Sequence, residues 1–161
     1  MLGRRILRIK AFKTLYGYAV TGRMTLDEAM ENLDKSCEAT RDLYLYMLAV
    51  ISPLTAEAAA RIKAAKEKFN PTEEDLSPNT KFAENRLAAL LDNDPDFQKI
   101  LSKKGFSWQP YDILIASVLD SVREKEYFKR YMASPERSLK EDCKLFTRIF
   151  EEEFADNAQL H

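Results

Sequence analysis

Residues 4–20 read RRILRIKAFKTLYGYAV, and the spacing within them decides the class of the chain. Placed at about 100° per residue, Ile9, Phe12, Leu15, Tyr16, Ala19 and Val20 fall on one broad stripe, the period of an amphipathic helix. Lys10, Lys13 and Leu7 point away from that stripe. Arg4 and Arg8 stand one turn apart at its edge, where their stems can pack and their guanidinium groups stay free. The expectation is a first helix from about Arg4 to Ala19, closed by Gly22. Every charge before Asp27 is positive: Arg4, Arg5, Arg8, Lys10, Lys13 and Arg23. The whole chain carries net −1, so the segment from Asp27 onward is net −7. A basic start on an acidic protein is a localised field that attracts polyanions, and nucleic acid is the obvious one.

Outward from that helix the same period continues. Thr25 and Glu28 have the spacing of a capping box, which starts a second helix. Its apolar positions run through Leu26, Met30, Leu33, Leu43 and Met47, so one long helix is expected from Leu26 to Ser52, ended or bent at Pro53. Thr55 then caps a helix from Ala56 to about Lys68. Residues 70–81, NPTEEDLSPNTK, carry two prolines and no period, the composition of a loop. Short helices are expected over Phe82–Leu91 and Asp96–Lys103, then a loop around Trp108. A further helix is expected from Tyr111 to about Met132, and a last one starts behind a Ser138–Glu141 capping box. Leu145, Phe146, Ile149, Phe150 and Phe154 give that helix an apolar face, and Asp156–His161 contains no stop signal. The last helix is therefore expected to be cut in mid-element. No stretch alternates like a strand, and the fold class is all-α, a multi-helix bundle. Ile9, Phe12, Leu15, Tyr16, Leu43, Met47, Leu114, Val118, Phe146 and Phe150 are expected to share its core.

Composition excludes more than it includes. With 161 residues, 45% hydrophobic and 32% charged, the chain folds rather than staying disordered. Cys37 and Cys143 have no zinc spacing and read as small apolar residues. No 18 apolar residues run uninterrupted, so no membrane span is expected, and no signal-type apolar run opens the chain. The default compartment is the cytoplasm. His161 is the single histidine and stands at the extreme end. No phosphate loop, nucleophile elbow or metal-helix motif occurs, and Glu73–Asp75 and Glu151–Glu153 read as solvated faces. The expectation is no enzyme, no cofactor and no metal. Tyr16, Tyr18, Tyr44 and Tyr46 have the chemistry to stack bases, but their helical spacing assigns most of them to the core.

Residues 4–16, RRILRIKAFKTLY, resemble the opening helix of the transcription antitermination factor NusB family. That likeness is short and rests on the arginine pair, the arginine one turn further in, and the closing Leu15-Tyr16. Pro71–Leu76, Pro78–Phe82 and Asn85-Arg86 resemble a long-insert bacterial branch of that family. Cys143–Glu151 resembles the helix at which the shared domain resumes. The resemblance divides the chain into a basic helix at 1–20, a helical insertion at 21–137, and the start of the resumed domain at 138–161. It implies that this is the N-terminal portion only of such a protein, with the C-terminal helical subdomain absent.

What the resemblance implies is an RNA-binding factor without cofactor. Such proteins pair with the ribosomal protein NusE, bind a single-stranded boxA element in nascent ribosomal RNA, and help the RNA polymerase elongation complex resist termination. Arg4, Arg5 and Arg8 match the family's basic RNA-contacting cluster. Ile6 departs from it, standing where many relatives carry a further arginine. Lys10 and Lys13 are added from charge and from their direction away from the apolar stripe. Because part of the RNA surface and the NusE surface belong to the absent half, weak RNA binding is expected. Two other functions compete. One is a helical protein-interaction module docking on the transcription machinery without RNA contact, which exposed Phe106, Trp108 and Tyr111 would favour. The other, a membrane-surface role for the basic helix, is disfavoured because the apolar stripe is assigned to the core.

Overall fold

The computed structural model describes residues 2–155, and these are helical throughout their regular structure, with no strands. The all-α expectation holds. Two compact units form, one ending at Leu48 and the other beginning at Ala49. Packing therefore follows neither the 20/21 nor the 137/138 boundary.

The first unit is a helical hairpin of α1 (Arg4–Thr21) and α2 (Leu26–Leu48). Gly22, with φ 60°, takes the left-handed conformation that ends α1 without steric cost. The Thr25 capping box forms as expected, with Glu28 N donating to Thr25 Oγ1 at 3.2 Å and Thr25 N to Glu28 Oε2 at 2.8 Å. Lys10 Nζ fixes the register by donating to Ser36 O at 2.8 Å and Ser36 Oγ at 2.7 Å.

Here the expected core needs correction. Ile9, Phe12, Leu15, Tyr16 and Leu43 are all exposed, with Phe12 at 69% and Tyr16 at 62%. Helix α1 meets α2 on the side that carries Lys10 and Thr14, with Ile9 at the edge of the cleft between them, while Phe12, Leu15, Tyr16 and Val20 stay exposed. Two helices cover only one face of each other, and Ala29 is the one buried residue that they contribute. Met47 and Phe150 are half-buried, whereas Leu114, Val118 and Phe146 are buried in the second unit.

The second unit contains α3 (Ile51–Lys66), α4 (Glu73–Leu76), α5 (Arg86–Asp92) and α6 (Pro95–Lys104). It continues with α7 (Asp112–Glu124), α8 (Glu126–Ala133) and α9 (Leu139–Ile149), followed by a π-helical segment at Phe150–Phe154. The long helix expected over Leu26–Ser52 breaks at Ala49-Val50 instead. Pro53 is the reason: its ring clashes with the carbonyl four residues back, Ala49, so the proline settles in the first turn of a new helix. Thr55 accordingly lies inside α3, donating to Ser52 O at 3.0 Å, and is not its cap. The expected loop at 70–81 holds one short turn, α4, whose capping box pairs Thr72 with Asp75. The helix expected over Tyr111–Met132 divides at Lys125, which is extended with ψ 139°. No Gly or Pro marks that division.

Apolar periodicity builds the second core. Val50, Ile51 and Leu54 are buried where α3 packs on α5 and α7. Helix α7 adds Leu114, Ile115, Val118, Leu119 and Val122, all buried, the pairs 114/115 and 118/119 recurring one turn apart along one broad side. From Phe128 a line of rings runs through Phe82 (5.2 Å), Phe146 (5.8 Å), Phe150 (6.5 Å) and Phe154 (5.8 Å). It ends at Trp108, 6.0 Å from Phe154 and 3% exposed.

A buried polar cluster ties the 79–86 segment to α8 and α9. Lys81 Nζ donates to Tyr131 O at 2.6 Å, Ser134 O at 3.0 Å and Glu141 Oε2 at 2.9 Å. Tyr131 Oη donates to Asp142 Oδ1 at 2.7 Å, and Asp142 Oδ2 accepts from Arg86 N at 2.9 Å. Burial pushes the Glu141 carboxyl up, but Lys81 and Ser134 beside it outweigh that and hold it below its ordinary 4.5. A carboxylate depressed on folding stabilises fully above its unfolded pKa and loses that stabilisation as pH falls through the folded value. Urea stability should therefore hold from neutrality to about pH 5 and decline below it, and Glu141→Gln should make that decline shallower. An unaltered decline in the variant would assign the acid sensitivity elsewhere.

The stretch Leu26–Lys66 contains an 18-residue window of mean hydropathy 1.4, long and apolar enough to cross a membrane, of which 28% is buried. The absence of an uninterrupted apolar run thus did not reveal it. Ala49, Val50, Ile51, Leu54 and Thr55, buried in the second unit, give that part of the stretch a core role.

Candidate nucleic-acid interface

Helix α1 begins behind Gly3 with no side-chain cap and no acid in its first turn. Its first two residues are Arg4 and Arg5, charges that oppose the helix dipole at that end. Cations there do not stabilise the helix; they add to the positive end of the dipole and to the unsatisfied N–H groups that favour anions. Arg4, Arg5, Arg8 and Lys13 are exposed, and none forms an ion pair among the described residues.

Lys10 is a correction. Its ammonium is half-buried and bound to Ser36, so it holds the hairpin together and is turned towards α2, not outward. Beside it a cleft of about 430 Å³ opens between the two helices, lined by Ile6, Ile9, Lys13, Thr14 and Thr40 among others.

The structure adds a pair of rings that the sequence reading placed in the core. Phe12 and Tyr16 stack with centroids 6.3 Å apart and planes at 23°, both exposed. They share a face with Arg5 and Arg8, since residues four and seven apart on a helix fall on one side. The signal was present in their i, i+4 spacing, which fixes a common face without saying what covers it. Tyr44 is also exposed and Tyr46 half-buried.

Elsewhere the chemistry is structural. A concavity of about 580 Å³ between α3, α4, α7 and α8 has Arg61 and Lys68 on its wall. Arg61 is already paired with Glu57 and Asp120, and Lys68 with Asp75. No group of three His, Cys, Asp or Glu gathers at one point among the described residues. Cys37 is half-buried, in keeping with the expected buried or half-buried apolar residue, whereas Cys143 is exposed and departs from it. His161 and the end of the last helix, on which the mid-element cut rested, lie outside the described residues.

Comparison with family models, with curated proteins and with solved structures finds no match.

Proposed function

We propose that the chain is an RNA-binding transcription antitermination factor of NusB type, acting on a boxA-like single strand in nascent ribosomal RNA. Its partners in that role are a NusE-type ribosomal protein and the RNA polymerase elongation complex, in the cytoplasm of a bacterium. The observation that carries the proposal is the exposed, acid-free run of Arg4, Arg5, Arg8 and Lys13 along the first half of α1. Guanidinium forks grip phosphate oxygens in pairs and position the strand; reading the bases falls to other groups. Phe12 and Tyr16 supply flat apolar surface on the same face, the chemistry that stacks unpaired bases.

Fluorescence anisotropy across a salt series tests it, with a boxA-like strand and a scrambled control. Four phosphate contacts predict a log–log salt slope near −2.8, at about −0.7 per contact. Arg5→Ala with Arg8→Ala should flatten that slope by about 1.4 and weaken binding about tenfold or more. Both side chains are exposed, so stability should move by less than about 0.5 kcal/mol. Lys10→Ala should leave the slope alone, because its ammonium is engaged with Ser36. An unchanged slope in the double variant would defeat the proposal. Of the three rings that would favour the rival protein-docking module, Trp108 is buried, which weakens it, Phe106 is half-buried, and Tyr111 is exposed.

A further inference from the structure

Helices α8 and α9, joined by residues 134–138, pack against each other and leave a groove of about 220 Å³ along their shared face. Helix α8 lines it with Tyr127, Arg130 and Tyr131. Helix α9 lines it with Glu141, Lys144, Leu145 and Arg148. Within each helix these residues recur three and four apart, so each set is one face. Tyr131 and Leu145 are buried and Tyr127 is half-buried, which gives the groove an apolar floor. Arg130, Lys144 and Arg148 stand exposed along its rim.

Those cations are poorly compensated. Residues 49–161 hold 20 acids against 17 cations, so a cationic groove is not the background of this unit. Among the described residues, Glu141 is the one acid that lines the groove, and Lys81 Nζ already engages it at 2.9 Å. Arg130 and Lys144 form no ion pair among the described residues. Arg148 meets Glu152 only at 3.7 Å, an exposed pair of little worth. Nearby, Glu126 is paired with Lys129 and Glu153 with Lys125, while Asp142 is bound to Tyr131 Oη and Arg86 N. Three cations around an apolar floor repel one another, and a multiply charged anion relieves that repulsion.

We propose that this groove binds a phosphomonoester carried on an apolar ring. Such a group has a charge of about −1.5 to −2 at pH 7 and three acceptor oxygens, a closer match to three cations than a carboxylate. Its ring covers the floor of Tyr127, Tyr131 and Leu145. The groove is smaller than the roughly 300–1,000 Å³ of drug-sized sites, a size for one ring and its phosphate. Two sources carry this chemistry, a free nucleotide and a phosphorylated tyrosine side chain. The proposal does not rest on RNA binding, and its test contains no RNA.

The experiment is a titration of the ¹⁵N-labelled full chain at pH 7, followed by two-dimensional NMR, with phenyl phosphate, inorganic phosphate and phenol. Phenyl phosphate should shift amide signals of α8 and α9 and bind more tightly than either of its halves. Arg130→Gln with Lys144→Gln should weaken it by about tenfold or more, because charge-assisted contacts to phosphate are lost. Both side chains are exposed, and circular dichroism of the variant should match the unaltered chain. Lys99→Gln, which removes an exposed cation from α6, should leave the affinity unchanged. Adenosine 5′-monophosphate and phosphotyrosine, titrated in parallel, identify the source by which of them binds more tightly. Unshifted signals in α8 and α9, or an affinity indifferent to the paired substitution, would overturn the proposal. So would phenyl phosphate binding no tighter than inorganic phosphate, since the apolar floor would then take no part.

Discussion

Lys81→Met should destabilise the second unit by about 3 kcal/mol, read as a lower urea midpoint at unchanged slope. Lys81 is 4% exposed and all of its hydrogen-bonding capacity is used: two carbonyl oxygens and the Glu141 carboxylate take its three protons. Its ammonium also lies 4.1 Å from the centre of the Tyr131 ring. Methionine retains much of the volume, so the loss isolates the polar contribution from packing. What remains behind is the cost: the carbonyl groups of Tyr131 and Ser134 lose a donor, and Glu141 loses its counter-charge. Adding Glu141→Gln should recover part of the loss, because the uncompensated charge is then gone. A single-variant loss under about 1 kcal/mol would mean that water enters and replaces the ammonium.

Phe146→Ala should cost more, about 4 kcal/mol. Phe146 is 1% exposed and stands in the middle of the ring line, between Phe82 and Phe150. Its removal takes away both the transfer free energy of the ring and contacts on two sides, and α9 cannot close the gap without moving Leu145 and Ile149. Phe146→Leu should lose about a third as much, since most of the volume is restored. Trp108, the single tryptophan, is buried against Phe154 at the end of the same line, so its fluorescence reports this unit's unfolding. Equal losses in the alanine and leucine variants would show that ring geometry matters here more than volume.

What was legible in the sequence was local. Thr25 with Glu28 and Ser138 with Glu141 announce helix starts because the capping groups lie three residues apart and need nothing else. The all-α class follows from long stretches without Gly or Pro. The break at Ala49-Val50 was displaced because a proline acts on the carbonyl four residues before it, not on its own position. The Lys81 cluster was invisible for a different reason. Tyr131 and Glu141 are 50 and 60 residues away from Lys81, and no local pattern links them. In α1 the periodicity correctly grouped Ile9, Phe12, Tyr16 and Val20, yet a shared face is not a buried face. The same limit applied to Lys10: its charge was plain, and its engagement with Ser36 was not. Arg4, Arg5 and Arg8 were legible as a cluster because charge without nearby acid needs no tertiary knowledge.

The hairpin with a single buried residue has a consequence for motion. Ordering a residue costs roughly 1–2 kcal/mol of backbone entropy, and apolar burial is what normally offsets it. Ala29 alone offsets little, so α1 and α2 belong to the low-stability end of the protein's local unfolding spectrum. Their amide protons should exchange with solvent faster than those around Ile51, Phe146 and Ile149, which native-state hydrogen exchange would measure. Anything that settles on the arginine-bearing helix therefore meets a fluctuating surface, and part of its binding free energy goes into making that surface stand still.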